Sequence, residues 1–207
     1  MDKYFIKRRR LLTYLGLGAM GAGGVAIASG CSQKVTVSTP TTANPTASST
    51  TTPAQNTSAA LPPNAQLLPE FQGISQWLNS SPLTTADLKG NVVLVQFWTF
   101  ACINCQRTLP YVTRWHREYA DKGLKVVGVH TPEFAYEKVV NNVKQALQKH
   151  KITYPVPIDN EFQTWNAYKN EYWPHLFLAD RQGVIRYDHI GEGAYSETEQ
   201  MIRQLLG

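Results

Sequence analysis

Two kinds of hydrophobic periodicity run through residues 64–207. The stretch 92–98 (Val-Val-Leu-Val-Gln-Phe-Trp) is apolar almost throughout, which is typical of a central parallel strand buried on both faces. Residues 124–130 predict a second strand of the same kind. Between them, apolar positions recur at helical spacing: Ile103, Leu109, Val112, Trp115 and Tyr119. We expect this helix to end near Gly123 and to be kinked at Pro110.

The rest of this region continues the alternation of strands and helices. A second amphipathic helix is predicted from Phe134, Val140, Val143 and Leu147. The further predicted elements are a short strand at 156–158, a short helix at 161–168, a hairpin of 175–179 with 184–190, and a helix at 196–206. Residues 71–78 precede them as an amino-terminal extension. This order predicts an α/β fold, with helices on both faces of a central sheet.

Cys102 and Cys105 form a Cys-x-x-Cys motif directly after the first buried strand. At a strand-to-helix junction this motif indicates thiol–disulfide redox chemistry. Cys102 lies at the expected helix start, where unpaired N–H groups and the helix dipole favour a thiolate. An inert structural disulfide is the alternative, but so short a loop would stabilise the fold only weakly. We predict that the Cys102 thiolate attacks a partner disulfide and that Cys105 resolves the mixed disulfide.

The first 31 residues predict an export signal. A basic segment at 7–10 is followed by an uncharged stretch at 11–30, the layout of a secretory signal. Arg8 to Leu12 resembles a twin-arginine signal, and Ala28-Ser29-Gly30-Cys31 resembles a bacterial lipobox in which Cys31 is lipidated. An uncleaved transmembrane helix is the alternative, since the stretch is long enough to span a bilayer. Both interpretations place the remaining chain on the extracytoplasmic face, anchored to the membrane.

A linker and a balanced charge follow from the composition. In residues 32–63, Thr, Ser, Pro and Ala supply 24 of 32 positions, which predicts a disordered stalk between the signal and the domain at 64–207. The formal net charge of the chain is +5, but five basic residues and Asp2 belong to the signal segment. The remainder carries 15 basic and 14 acidic residues. This balance gives no argument for nucleic-acid binding.

The motifs around the cysteine pair resemble a known family, the extracytoplasmic thioredoxin-fold oxidoreductases of the TlpA/ResA/DsbE-like group. The stretch 97–110 (Phe-Trp-Thr-Phe-Ala-Cys-Ile-Asn-Cys-Gln-Arg-Thr-Leu-Pro) is most similar to the thioredoxin-like domain of DipZ-type proteins. His130-Thr131-Pro132-Glu133-Phe134 and Tyr172-Trp173-Pro174 agree with the same group. The resemblance implies a thioredoxin-like fold with a central mixed sheet, an inserted helix after His130, and an amino-terminal extension of the TlpA/redoxin type.

The resemblance also implies roles for individual residues and partners. Pro174 is expected to be a cis-proline facing the cysteine pair, so that the main chain of Trp173 can bind a substrate strand. Phe100 and Trp173 are expected to rim the redox face. The implied partners are exported proteins with disulfides or thiols and a membrane electron donor of the CcdA/DsbD type. We expect a monomer that acts as a reductant, although the sequence does not determine the direction of electron flow.

One departure from minimal thioredoxins concerns the second cysteine. Gln96 stands where those proteins carry a buried Asp, and an amide cannot accept the proton of Cys105. Glu133 is our candidate for that role, and the alternative for Glu133 is a charge that stabilises a helix amino terminus.

Metal binding and haem attachment fit the cysteine pair less well. A zinc site needs about four ligands, and c-type haem attachment needs His where Gln106 stands. Sco-like copper chaperones use a Cys-x-x-x-Cys motif with a distal His, whereas here two residues separate the cysteines, and we expect His130 to be a strand-end residue with no ligand role. We therefore predict no metal and no cofactor. The competing functional class is a copper chaperone or a non-catalytic binding module on the same fold.

Overall fold

The computed structural model describes residues 65–207, which form an α/β fold around one six-stranded sheet. The strands are β1 (Gln76–Leu78), β2 (Val92–Trp98), β3 (Leu124–His130), β4 (Val156–Ile158), β5 (His175–Ala179) and β6 (Ile185–Ile190). The helices are α1 (Ile103–Tyr119), α2 (Val140–Lys149), α3 (Gln163–Ala167) and α4 (Tyr195–Leu206). Two 3-10 turns lie at Ala120–Lys122 and Ala135–Lys138. The predicted signal (1–31), with Cys31, and the linker (32–63) lie outside the described residues.

The sheet is mixed, in the order β1-β4-β3-β2-β5-β6. Strands β2, β3 and β4 are parallel, whereas β5 and β6 continue the sheet antiparallel on one side and β1 on the other. All seven residues of β2 are buried, including Gln96, as its almost entirely apolar sequence predicts. The predicted thioredoxin-like fold, with helices and a mixed sheet, is thus confirmed.

Each face of the sheet packs on its own layer of apolar side chains. On one face, alternate residues of β2 such as Leu94 and Trp98 pack against α1, α2 and α4. On the other face, residues such as Val95 and Phe97 pack against Trp165 of α3. Trp98, Trp115 and Trp165 are buried in these layers and belong to the core.

Two sequence predictions need correction. The single helix expected through Phe134 and Leu147 is a 3-10 turn followed by α2, because Val139 between them is extended (φ −77°, ψ 111°). The Glu137 side chain caps the start of this turn, where it accepts from the main-chain N–H groups of Glu133 and Phe134. The amino-terminal extension is also more regular than expected, since β1 pairs antiparallel with β4 and becomes an edge strand.

The fold brings three loops together at the carboxyl ends of the parallel strands. Strand β2 leads into the cysteine motif, β3 into residues 131–137, and β4 into Asp159. The Asp159 main-chain N–H donates to the carbonyl of His130, and its buried carboxylate accepts from the N–H groups of Thr164 and Trp165 at 3.2 and 2.8 Å. This edge is where ligand sites form in such sheets. Within residues 65–207 no helix is both long and apolar enough to cross a membrane.

Candidate active site

Cys102 caps the amino terminus of α1. Its backbone is extended (φ −72°, ψ 115°), and its Sγ accepts a hydrogen bond from the Cys105 main-chain N–H at 3.1 Å. The Cys105 thiol, and after it the main-chain N–H groups of Cys105 and Asn104, stabilise the thiolate and lower the pKa of Cys102 to about 7. Partial burial and the negative charge of Glu133 oppose this shift. Cys102 is therefore the activated and partly exposed cysteine.

Cys105 has the opposite environment. It is completely buried, within the core layer that contains Leu109. Burial raises its pKa, and its hydrogen bond to Cys102, the charge of Cys102 and the charge of Glu137 raise it further. Only the main chain of Thr99 acts the other way. Cys105 thus keeps its proton while Cys102 is ionised, and the pair is differentiated for attack and resolution.

An aromatic rim, formed by Phe100, Phe134 and Tyr136, flanks the cysteine motif. The partly buried Phe100 stacks on the ring of His130 with centroids 5.7 Å apart, and lies 5.8 Å from the ring of Tyr136. Phe134 and Tyr136 stack on each other at 5.7 Å and are 48% and 50% exposed. Sequence reasoning placed Phe100 at this rim but missed Tyr136. It assigned Phe134 to the buried side of a helix that the structure interrupts.

Trp173 and Pro174 form the loop that leads into β5. The Trp173–Pro174 peptide bond is cis, as expected. Trp173 is partly buried, donates its Nε1–H to the carbonyl of Thr131 at 3.0 Å, and lies against Trp165 with centroids 4.2 Å apart. Trp173, Phe100 and Cys102 all pack against the same core layer. A role of Trp173 in binding substrate stays a prediction.

The buried carboxylate near the cysteine pair belongs to Glu137, not Glu133. Glu133 is exposed, its negative charge raises the pKa of Cys102, and its main-chain N–H donates to Glu137 at 2.7 Å. Glu137 is completely buried and also accepts from the N–H of Ala101 at 3.0 Å and from the hydroxyl of Thr99. Sequence reasoning missed Glu137 because two of its donors, Thr99 and Ala101, lie far from it in the sequence and reach it only in the fold.

Gln96 lies on the same face of β2 as Leu94 and Trp98, in the layer that holds Cys105. It is completely buried, and neither its amide oxygen nor its amide nitrogen has a hydrogen-bond partner among the described residues. Its uncharged amide cannot serve as a proton acceptor.

His130 is buried, and burial lowers its pKa to about 4. Its Nε2 lies 3.4 Å from the Thr99 hydroxyl. Within residues 65–207 no three His, Cys, Asp or Glu side chains form a group that could hold a metal ion. The copper-chaperone alternative therefore gains no support from this part of the chain, and the expected absence of a metal stays a prediction.

Comparison with known proteins places this site in a family. The model of the AhpC/TSA family matches residues 65–188. The protein DipZ of Mycobacterium tuberculosis is 47% identical over 141 residues, which is 67% of this chain but 20% of DipZ. The thiol-disulfide oxidoreductase YkuV of Bacillus subtilis is 28% identical over 141 residues, covering 68% of this chain and 95% of YkuV.

A solved structure supports the same assignment. The crystal structure of a thiol-disulfide isomerase from Corynebacterium glutamicum superposes with a TM-score of 0.62 at 27% identity, and covers 70% of this chain and 97% of that chain. Because the family model matches more than half of the sequence, the chain belongs to the AhpC/TSA family, and its fold is thioredoxin-like.

Proposed function

We propose that this protein is a membrane-tethered, extracytoplasmic oxidoreductase that reduces disulfides of exported proteins. The observation that carries the proposal is the contrast between the two thiols. Cys102 caps a helix with its pKa lowered to about 7, while Cys105 is completely buried with its pKa raised. Such a pair supplies one nucleophile and one reserved resolving thiol.

The reaction follows from this contrast. The Cys102 thiolate attacks one sulfur of the partner disulfide, a new sulfur–sulfur bond forms, and the second partner sulfur leaves as a thiolate. The Cys105 sulfur then attacks Cys102, and the partner is released with both of its sulfurs reduced. Two electrons pass to the partner, and Cys102 and Cys105 become a disulfide. A CcdA/DsbD-type membrane donor is proposed to return the two electrons.

The aromatic rim supports a polypeptide as substrate. Phe134 and Tyr136 are about half exposed, and Ile103 between the cysteines is 57% exposed. Exposed apolar side chains in one region favour binding of another apolar surface. The proposed substrate is an extended segment with apolar side chains beside its cysteine. The aromatic rim and both cysteines belong to one chain, so we propose that the enzyme acts as a monomer. Nucleic acid is not a proposed partner.

Cysteine variants test the proposed reaction. With a disulfide-containing protein substrate, C102S should abolish reduction, because it removes the thiolate. C105S should instead accumulate a mixed disulfide, seen as a thiol-sensitive species of higher mass on a non-reducing gel. Limiting iodoacetamide should label Cys102 in the reduced wild-type protein. Labelling of Cys105 instead would reverse the two roles.

The reduction potential tests the proposed direction. Thiol-disulfide proteins of this fold range from about −270 mV for reductants to about −120 mV for strong oxidants. Equilibration with glutathione should give a reduction potential for the Cys102–Cys105 disulfide near the reducing end of this range. A value near the oxidising end would contradict the reductant assignment while leaving disulfide exchange itself intact.

A further inference from the structure

His175 bridges two polar side chains at the start of β5, and the exchange reaction described above does not use it. Its side chain is only 8% exposed. Its Nδ1 lies 2.6 Å from Oδ1 of Asn170, and its Nε2 lies 3.0 Å from Oδ2 of Asp188. Asn170 belongs to the loop at 170–174, and Asp188 lies on β6 at the edge of the sheet. His175 therefore joins this loop to the edge strand.

The contact with Asn170 assigns one proton to Nδ1 of His175. The Nδ2 group of Asn170 donates to the main-chain carbonyl of Tyr172 at 3.1 Å. Because a carbonyl oxygen can only accept, this bond fixes the orientation of the amide and turns its Oδ1 towards the ring. An amide oxygen also only accepts, so Nδ1 must carry the hydrogen of the 2.6 Å contact.

The contact with Asp188 requires a second proton on the same ring. An ionised carboxylate has no hydrogen to donate, so Nε2 must donate to it across 3.0 Å. A ring that donates from both nitrogens is the imidazolium, which also attracts Asp188 as an ion. In the neutral ring with its hydrogen on Nδ1, the lone pair of Nε2 would face the carboxylate and the contact would be lost. Arg186 does not compete for this carboxylate, because its Nε donates to Asp180.

The surroundings of His175 act on its second proton in opposite directions. Burial lowers the pKa of His175, the hydrogen bond and charge of Asp188 raise it, and the charge of His189 lowers it. The neighbours on β2 and on its own strand, Phe97 and Phe177, bring no charge. The net shift is downward, so the ring gains its second proton at a lower pH than an ordinary histidine.

The loop at 170–174 carries Trp173, the residue that we predict to bind substrate. Trp173 packs against the same core layer as Cys102. Asn170 lies at one end of the loop and His175 directly follows the other end, so their hydrogen bond closes the loop. The bond from His175 to β6 then fixes the closed loop to the sheet. The position of Trp173 therefore depends on both contacts of the His175 ring.

We propose that His175 is a positioning residue for substrate binding, which ties the loop at 170–174 to β6 when both of its ring nitrogens are protonated. Loss of the Nε2 proton to solvent breaks the bond to Asp188 and leaves only the bond to Asn170. The loop is then held less tightly, and Trp173 binds a polypeptide less well. This inference rests on the proposed function, because it takes Trp173 to contact the substrate of the exchange reaction. It extends that function by making substrate binding stronger in acidic solution.

The protonation of the ring can be measured directly and without substrate. In reduced protein with isotope-labelled histidine, long-range proton–nitrogen NMR spectra distinguish the imidazolium of His175 from each neutral form. We expect the imidazolium at low pH and, above the titration midpoint, the neutral form with its hydrogen on Nδ1. A neutral form with its hydrogen on Nε2 would overturn the proposal. So would a ring whose protonation does not change between about pH 4 and 8.

Substrate binding is measured by comparing two disulfides, those of insulin and of hydroxyethyl disulfide. The ratio of their kcat/KM values removes the effect of Cys102 ionisation, which both reactions share. In the wild-type protein this ratio should fall roughly threefold as the pH rises through the midpoint of His175, because one hydrogen bond that holds the loop is lost. A ratio that stays constant across the midpoint would overturn the proposal. Failure to reduce either disulfide would instead refute the proposed function, and the NMR titration would still report the link.

Two variants of Asp188 separate the link from its charge. Asp188→Asn supplies an amide that can donate to a neutral Nε2, so the link should persist at every pH and the ratio should stay at its low-pH value. Asp188→Ala removes the partner, so the ratio should stay at its high-pH value. The Asp188 side chain is 54% exposed, so neither variant opens the core. A ratio that falls in Asp188→Asn as it does in the wild-type protein would overturn the proposal.

Glu171→Gln is the matched control, because it removes a carboxylate from the same loop. Glu171 is exposed and forms no ion pair with any of residues 65–207. The Glu171→Gln variant should keep the pH dependence of the wild-type ratio. Loss of that dependence in Glu171→Gln would show that the net charge of the loop, and not the bond from His175 to Asp188, is the cause, and would overturn the proposal.

Discussion

Only two residues separate Cys102 from Cys105, yet the environments of the two sulfur atoms have opposite effects on their pKa values. The helix start gives Cys102 main-chain and thiol donors, and these outweigh its partial burial. One turn further into α1, Cys105 has turned into the core, where removal from water dominates. A single helical turn between the two cysteines is therefore sufficient to differentiate the nucleophile from the resolving thiol.

The first residue-scale prediction concerns pH. The folded pKa of Cys102 is about 7, below its ordinary value, so its thiolate fraction rises as the pH increases through 7. The rate of iodoacetamide modification in the Cys105→Ala variant should depend on pH as a single titration. That variant has no side-chain donor at position 105, so its midpoint should lie above that of Cys102 in the reduced wild-type protein. A lower midpoint in Cys105→Ala would contradict the hydrogen-bond account.

The second residue-scale prediction concerns Gln96. Its buried amide has no hydrogen-bond partner among the described residues. The removal of this amide from water therefore lowers the free energy of unfolding. Gln96→Leu removes the polar atoms at similar volume, and should raise the free energy of unfolding by about 1 to 2 kcal/mol. Urea denaturation of the reduced protein measures this. The control is Gln145→Leu on the exposed side of α2, where we expect a change within about 0.5 kcal/mol. Destabilisation by Gln96→Leu would mean that the amide has a partner that offsets its burial.

At the scale of elements, the strands and the first helix could be predicted because one physical effect decides each of them. Neither face of the strand at 92–98 is polar, so both faces are buried when the strand lies at the centre of the sheet. The break at Val139 could not be predicted, because apolar residues on both sides of it, Phe134 and Val140, fit one helical period. Phe134 and Tyr136 lie exposed at the 3-10 turn that precedes α2, whereas a helix through Phe134 would bury it, so the aromatic rim was only partly predicted.

The element-scale prediction concerns the close packing of β3 against the core. A Cβ at Gly128 would lie 2.7 Å from Cε2 of Tyr154 and 3.1 Å from Nε1 of Trp98. Both rings are completely buried, so they have little room to move. Gly128→Ala should therefore cost about 1 to 3 kcal/mol of stability, measured by urea denaturation.

A double-mutant cycle separates overpacking from other effects of Gly128→Ala. Tyr154→Leu removes the ring that the new methyl group would meet, at the cost of a cavity. In that background Gly128→Ala should cost clearly less than it does alone. Strictly additive costs would show that contact with Tyr154 is not the reason for the loss.

At the scale of the whole molecule, the described domain accounts for the chemistry but not for where the chemistry takes place. The chain matches only 20% of the length of DipZ. The similarity of this one domain therefore does not imply that the chain has the domain organisation of DipZ. Here the domain is preceded by a basic and apolar segment and a Thr/Ser/Pro/Ala-rich stretch. These two segments carry the proposal that the enzyme works at the outer face of a membrane.

The whole-molecule prediction concerns that tether. If Ala28-Ser29-Gly30-Cys31 is a lipobox, cleavage after Gly30 and lipidation of Cys31 precede anchoring. Cys31→Ser should then leave a longer precursor on a gel, and metabolic labelling with a fatty acid should be lost. Lys34→Ser in the adjacent stretch is the control, and should be processed normally. One acyl chain anchors only marginally, so stable membrane association requires several chains. A wild-type protein that keeps residues 1–30 and runs like Cys31→Ser would show that the tether is an apolar helix, in which case the exported location would stand and the lipid anchor would not.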